Sequence, residues 1–460
     1  MSDTLELADK RVLVVGLERT GLATALFCRA RGARVTASEL RPEPAVAERA
    51  AQLRAAGVAL EFGGHRRETF LDQDLIVPSP GVPLEIGPLA AARAAGVPVC
   101  SEIELAARFL RGRLVAITGS NGKTTTTLLT GHILEGAGRR VLVGGNVGTP
   151  LISLVDRSAP DAVTVAEVSS FQLEAIDRFR PDVALLLNLT PDHLDRHPSL
   201  DAYARAKARI FENQRAEDAA VVNADDAAAA RLAPAKPRRF WFSRRGPVDS
   251  GACLEDGRIV FRSGDRLVGL LHRADVGLRG EHNLENVLAA ACAAVLAGAS
   301  PEEIREGVRS FAGVEHRLEF VAEIAGVAFY NDSKATNVDA ALKSVAAFPG
   351  NLLVILGGKD KGGDFTLLAP LLAEKAHVAL LIGAAAEKIA GQLAGAVPVE
   401  RPGTLEAAIE RAYELARPGD TVLLAPACAS FDQFRNYEHR GQVFKQLVRA
   451  IETRASADRR

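Results

Sequence analysis

Leu114-Val-Ala-Ile-Thr-Gly-Ser-Asn-Gly-Lys-Thr-Thr-Thr-Thr127 sets an apolar run against a glycine loop, a lysine and a series of hydroxyls. The run predicts a buried strand and Thr125 to Leu134 predicts a helix, so the loop joins a strand end to a helix N-terminus. Such a junction gathers backbone N–H groups and the positive end of the helix dipole, which suits phosphate. Gly119 and Gly122, on either side of Ser120 and Asn121, let those N–H groups turn inward. Lys123 can reach the β and γ phosphates, Thr124 can ligand Mg²⁺, and Thr125 follows in the first turn. The stretch therefore predicts an ATP-binding P-loop in an α/β sheet, with a G-x-x-G-K-T spacing shorter than the usual form.

Upstream, Arg11-Val-Leu-Val-Val-Gly predicts a buried strand, Leu22 to Ala30 a helix, and Arg34-Val-Thr-Ala-Ser a second strand ending at Glu39. A carboxylate at that distance from a glycine turn is where Rossmann folds bind a nucleotide hydroxyl. Glu18 stands where the middle glycine of G-x-G-x-x-G would be, and its charge opposes a closely seated pyrophosphate. A further strand, Asp74-Leu-Ile-Val-Pro-Ser-Pro-Gly, ends in a rigid turn.

Downstream, Val141-Leu-Val-Gly-Gly-Asn-Val-Gly predicts a strand with Asn146 at its rim, and the strand from Ala162 delivers Glu167 as a second Mg²⁺ residue. Val183-Ala-Leu-Leu-Leu-Asn-Leu opens into Thr190-Pro-Asp-His-Leu-Asp-Arg-His, where His193 beside Asp192 and Asp195 is a catalytic candidate and His197 by itself is not. A helix over Leu200 to Glu212 carries Lys207, which on its own reads as a surface lysine. Residues 235–275 read as an antiparallel excursion with Trp241 in a core. Gly280-Glu-His-Asn-Leu-Glu-Asn opens an Ala-rich helix with His282 and Asn283 toward a nucleotide and Asn286 as a packing or capping residue. The helical pattern stops near Phe311 to Val314. Strands at Val327, Leu352, Val378 and Thr421 then alternate with helices, which predicts a second parallel sheet, with Arg317, Lys334, Lys359 and Lys361 at loop ends facing an anion.

The 460 residues, 48% hydrophobic and 25% charged, fit a soluble globular enzyme of roughly three domains at about 150 residues each. With 56 Lys+Arg against 57 Asp+Glu, no nucleic-acid footprint appears. Five scattered cysteines form no C-x-x-C pair, so neither a disulfide framework nor a zinc site is predicted, and a cytoplasmic setting fits. The polar N-terminus does not resemble a signal peptide, and the apolar run Val287 to Ala299 is too short for a bilayer.

In this order, Thr118-Gly-Ser-Asn-Gly-Lys-Thr-Thr, Gly145-Asn-Val-Gly, Glu167, Asn188-Leu-Thr-Pro-Asp-His-Leu-Asp-Arg-His and Glu281-His-Asn-Leu-Glu-Asn resemble the Mur ligases of peptidoglycan synthesis over nearly the whole chain. Asn331-Asp-Ser-Lys-Ala-Thr-Asn and Pro426-Ala-Cys-Ala-Ser-Phe-Asp-Gln-Phe resemble the branch that adds D-glutamate to UDP-N-acetylmuramoyl-L-alanine. The resemblance implies three α/β domains: a Rossmann-like UDP-substrate domain over 1–102, a central P-loop ATPase domain over 103–313, and a Rossmann-like amino-acid domain over 314–460. It implies an acyl phosphate made with ATP and then attacked by the amine, Thr124 and Glu167 at one Mg²⁺, and His193 with a carbamylated Lys207 at a second. It further implies UDP contacts at Glu39, Arg41 and Ser79, a substrate contact at Asn146, and ATP contacts at Asn283, His316, Arg317 and Asp332. D-Glutamate would be gripped by Lys334, Thr336, Ser430 and Phe431 with Lys361 in support. Tyr437 and Glu39 depart from the Phe and Asp expected there. A monomer is expected. Another Mur-type ligase, a P-loop switch protein, and a nicotinamide dehydrogenase that leaves the P-loop unexplained are the competing readings.

Overall fold

A computed structural model describes residues 5–146, 148–193 and 196–457. Three sheets account for its strands. The first contains β1 (Arg11–Val15), β2 (Arg34–Glu39), β3 (Ala59–Phe62) and β4 (Leu75–Pro78), all parallel in the order β3-β2-β1-β4. The second contains β5 (Arg113–Thr118), β6 (Val141–Gly145), β7 (Val163–Glu167), β8 (Val183–Leu186), β9 (Ala219–Asn223), β10 (Arg238–Ser243), β11 (Ser250–Glu255), β12 (Arg258–Ser263) and β13 (Arg266–His272). Its order is β13-β12-β11-β10-β9-β8-β5-β7-β6. Central strands such as β5 and β7 are buried along nearly their whole length, the pattern of parallel strands covered by helices on both faces. Only β11 to β13 form the antiparallel part: β10 runs parallel to both β9 and β11, so the expected excursion over 235–275 begins one strand later. Trp241 is half-buried against the core of this unit.

The chain divides into two compact units, 1–276 with 285–311, and 277–284 with 312–460. In the first unit one hydrophobic core runs from Val12 and Val14 of the first sheet to Ala116, Ala184 and Val222 of the second. The helix Glu102–Ala107 joins the two sheets and buries two carboxylates. Glu104 accepts from the consecutive N–H groups of Asp177, Arg178 and Phe179 at 2.7–2.9 Å and from Arg108 Nε at 2.7 Å. Glu102 accepts from Ile152 N at 2.6 Å, and among the described residues its second oxygen has no hydrogen-bond partner. Burial raises Glu102 to about 7, against the pull of the Ile152 and Leu151 N–H groups. The folded chain therefore keeps this proton between the ordinary carboxylate range and about pH 7, where the unfolded chain has lost it. The stability this contributes is complete at low pH and is lost as pH rises through that window. Glu102→Gln mimics the protonated acid, so its melting temperature should gain on that of the natural protein by a few degrees between pH 5 and pH 8. A gap that stays constant with pH would refute this.

The second unit holds the third sheet: β14 (Glu319–Ile324), β15 (Val327–Asn331), β16 (Leu352–Gly357), β17 (Ala376–Ile382), β18 (Val399–Gly403) and β19 (Thr421–Leu424), in the order β14-β15-β19-β16-β17-β18. All pairs are parallel except β14–β15, a hairpin whose turn residues Ala325 and Gly326 both have positive φ, at 51° and 79°. Two apolar clusters pack the sheet's faces. All five cysteines of the chain are free and buried, and burial pushes each thiol upward. Among the described residues no helix is long and apolar enough to cross a membrane.

Candidate active site

In each sheet, the candidate side chains sit at the carboxyl ends of strands beside a change of strand order, where open α/β sheets bind ligands. β5 lies between β8 and β7, with Ile117 opposite Glu167 and Thr118 opposite Leu186. The loop from Gly119 then enters the helix Lys123–Gly136. Gly122 has φ +84°, and a Cβ there would lie 2.2 Å from Asn286 Oδ1, so both backbone and packing demand glycine. The loop is braced by residues past β8: Ser120 N donates to Asn188 O at 3.0 Å, Asn121 N to Asn188 Oδ1 at 2.8 Å, and Thr190 N to Ser120 Oγ at 3.0 Å. Lys123 folds over its own loop, with Nζ 2.9 Å from Gly119 O and 3.0 Å from Ser120 O. Thr124 and Thr125 are buried in the first turn. Glu167 is 2% exposed; its Oε1 accepts from Asn146 Nδ2 at 2.8 Å, while its Oε2 is buried and has no hydrogen-bond partner among the described residues.

His193 has φ +53° and is half-exposed, its own N–H bonded to Asp192 Oδ1 at 2.9 Å and its ring 5.0 Å from that of Phe171. Asp195 lies outside the described residues. His197 is buried on Ser170 Oγ at 3.0 Å and stacked on Phe171, a packing role. Lys207 is not a surface lysine: at 1% exposure its Nζ donates to Gly119 O at 2.9 Å and lies 4.5 Å from the Tyr203 ring centre. Burial drives Lys207 toward the neutral amine, well below the ordinary lysine range; the Lys123 cation pushes the same way, and Asp192 and Glu167 oppose it. Lys207 and His193 both neighbour Tyr203. Among the described residues no three His, Cys, Asp or Glu side chains converge as a metal cluster.

The first sheet carries a 480 Å³ cleft lined by Gly16, Leu17, Glu39, Arg41, Ser79 and neighbours. Glu39 accepts from Leu17 N at 2.8 Å and from Arg41 Nε at 2.9 Å. Burial would raise this carboxyl, but Arg41 and the backbone N–H groups outweigh it and hold it at about 2. Ser79 Oγ donates to Gly16 O at 2.9 Å. The charge of Glu18 is answered locally, by Arg41 Nη1 at 2.8 Å and Arg49 Nη1 at 3.0 Å.

In the second unit, backbone bonds tie three loops: Ala427 N to Ala335 O at 2.9 Å, Gly357 N to Pro426 O at 2.8 Å, and Lys359 N to Ala429 O at 2.8 Å. This gathers the loops of Lys334 and Thr336, of Lys359 and Lys361, and of Ser430 and Phe431. Lys334 Nζ lies 3.8 Å from the Tyr437 ring centre, Ser430 is buried, and Phe431 and Lys361 are exposed. Asp332 is raised to about 6 by burial, opposed by the Ser344 hydroxyl bonded to it and by Arg317. His316 is buried on Asn331 Nδ2 at 2.9 Å. Asn283 Nδ2 donates to Arg279 O at 2.7 Å.

One residue that holds these loops, Arg440, escaped the sequence reading, whereas Asn286 was expected there as a packing or capping residue. Asn286 packs on Gly122 and lies 3.4 Å from Thr126 Oγ1. Arg440 is fully buried, bonded to Ser333 Oγ at 3.0 Å and to the Ser333 and Cys428 carbonyls, and burial lowers its guanidinium to about 10. Arg440 sits in the helix Tyr437–Ala457, far along the chain, where only its full burial marks it.

Family profiles match three stretches: the Mur ligase MurD-like N-terminal domain over 10–101, the Mur ligase middle domain over 117–294, and the Mur ligase glutamate ligase domain over 316–428. The UDP-N-acetylmuramoylalanine--D-glutamate ligase of Acidobacterium capsulatum is 57% identical, with 97% of each chain covered. That of Koribacter versatilis is 51% identical over 97% of this chain and 99% of its own. Among solved structures, the UDP-N-acetylmuramate-alanine ligase MurC of Thermotoga maritima shares the fold, with a TM-score of 0.61 at 20% identity over 96% of this chain and 99% of that one. With three matched domains and relatives of this identity along almost its full length, the chain belongs to the Mur ligase family.

Proposed function

We propose that the chain joins D-glutamate to UDP-N-acetylmuramoyl-L-alanine at the expense of ATP, in the cytoplasm, by way of an acyl phosphate. The substrates follow from the relatives at 51–57% identity. The nucleotide half rests on one observation: a glycine loop entering a helix beside Glu167, whose inner oxygen is buried without a hydrogen-bond partner among the described residues. That oxygen fits a cation, and Thr124 and Glu167 would hold Mg²⁺. When bound there, Mg²⁺ neutralises charge on the transferring phosphoryl group.

The chain's own side chains do the rest. Lys123 would leave the Gly119 and Ser120 carbonyls for the phosphates, which Gly119, Asn121, Gly122 and Thr125 cradle by backbone N–H groups and the helix end. Asn146, anchored on Glu167, would orient the acyl end of the substrate, whose UDP end lies in the cleft of Glu39, Arg41 and Ser79. His193 and Lys207, the latter as a carbamate, would hold a second Mg²⁺; a bare ammonium has no lone pair to offer a cation. In the second unit Lys334, Thr336, Ser430 and Phe431 would grip D-glutamate with Lys361 adding charge, while Asn283, Arg317 and Asp332 would meet ATP. These roles go with domain limits of 1–102, 103–313 and 314–460.

Sustained release of ADP, beyond one per enzyme, should require UDP-N-acetylmuramoyl-L-alanine and D-glutamate together, across a panel of amino acids. Sustained release with either alone, beyond one ADP per enzyme, would favour a switch protein, and preference for another amino acid a different Mur ligase. In the same assay Lys334→Ala should raise the KM for D-glutamate about tenfold or more and leave that for ATP unchanged, since a charged hydrogen bond contributes roughly 1.5–3 kcal/mol. A change confined to ATP would remove Lys334 from the amino-acid site.

A further inference from the structure

The helix Arg19–Ala30 is attached at both ends to the segment that follows β6. Arg19, its first residue, donates from Nη1 to Gly148 O at 2.7 Å. Arg31, just past its last turn, places Nη2 2.5 Å from Asp156 Oδ1 and stacks its guanidinium 3.5 Å from the Phe27 ring centre. Arg19 belongs to the turn Gly16–Gly21, of which Gly16, Leu17, Glu18 and Thr20 line the 480 Å³ cleft. Gly148 lies two positions beyond Asn146, residue 147 being outside the described residues, and its neighbour Thr149 accepts through O from Gly145 N at 2.8 Å. Asn146 N donates to Glu167 O, and Asn146 Nδ2 to Glu167 Oε1, each at 2.8 Å. One guanidinium thus joins the wall of the first cleft to the segment that pairs with Glu167.

We propose that Arg19 is a positioning residue that couples occupancy of the cleft to the placement of Asn146 and Glu167. This rests on the reading of the cleft as the UDP site. A ligand held against the turn Gly16–Gly21 restrains the start of the helix, and with it the guanidinium that anchors Gly148. The segment carrying Asn146 is then ordered before the acyl end of the substrate arrives. Arg19 is exposed, and a single exposed contact of this kind adds little to stability, so its removal should leave the fold intact.

The test uses UDP alone as the probe, with hydrogen exchange read over 145–152, and steady-state kinetics beside it. In the natural protein UDP should slow exchange in that segment roughly tenfold. Arg19→Ala should bind UDP with unchanged affinity yet lose the protection, and its kcat/KM for UDP-N-acetylmuramoyl-L-alanine should fall about tenfold with the KM for ATP unmoved. Arg19→Lys, which can still reach the Gly148 carbonyl, should recover part of both. Retained protection in Arg19→Ala overturns the coupling. Lost UDP affinity makes Arg19 a direct ligand contact instead, and a lowered melting temperature with both losses makes it merely structural. A natural protein that binds no UDP removes the reading of the cleft itself, and the proposal with it.

Discussion

Lys207→Ala is expected to lower kcat by about 10²–10³-fold, the loss seen when one preorganised group at a reacting phosphoryl or acyl centre is removed. A small carboxylate such as formate should restore part of it. Lys207 is 1% exposed in a wall shared with Tyr203 and the Gly119 carbonyl, so truncation leaves a cavity at the loop that a carboxylate can enter. The same burial, next to Lys123, favours the neutral amine, the form that adds CO₂ with loss of one proton to give a carbamate. Carbamylation would exchange a donor for an acceptor, end the bond to Gly119 O and reverse the sign of charge beside the loop. Bicarbonate depletion should therefore slow the natural enzyme, and Lys207→Arg should stay inactive because a guanidinium forms no such adduct under mild conditions. Full activity in Lys207→Ala, or a loss that neither formate nor bicarbonate touches, would refute the carbamate.

Lys123→Ala should reduce kcat/KM for ATP by about 10²–10³-fold while leaving UDP binding in the first cleft unchanged. Lys123 is the cation of the loop, and its two carbonyl bonds show that the side chain already reaches across the cradle. Lys123→Arg should not restore activity: a planar fork cannot repeat the compact donor geometry of an ammonium above Gly119 and Ser120. Activity within tenfold of the natural enzyme in Lys123→Ala would mean the phosphate charge is met elsewhere.

The P-loop was legible because strand, glycines, lysine and hydroxyls follow one another in a single stretch. The same holds for β5 and β16, whose burial on both faces leaves uninterrupted apolar runs, and for β7, where Thr164 is the one polar residue before Glu167. The edge strands β3, β14 and β18 were not legible: each has a neighbour on one side and a mixed sequence such as Ala-Leu-Glu-Phe or Val-Glu-Arg-Pro-Gly. β9 opens with two alanines, which carry no strand preference, and the direction of β10 depends on pairing with β9 and β11, which local pattern does not encode. Among site residues the same division applies. Glu18 read as a charge opposed to pyrophosphate, because its partners Arg41 and Arg49 lie beyond the next strand. Lys207 read as a surface lysine on its own pattern, because its burial depends on Gly119, 88 residues away.

The five buried thiols also set how this molecule meets oxidants. Peroxide reacts with thiolates and thioethers, yet burial holds every cysteine as the thiol, and Met1 is the chain's single methionine. Sulfenic acid formation thus has no foothold at these cysteines while the chain is folded. Damage must wait for the chain to open, so inactivation by peroxide at high concentration should proceed at the rate of unfolding and become independent of the oxidant.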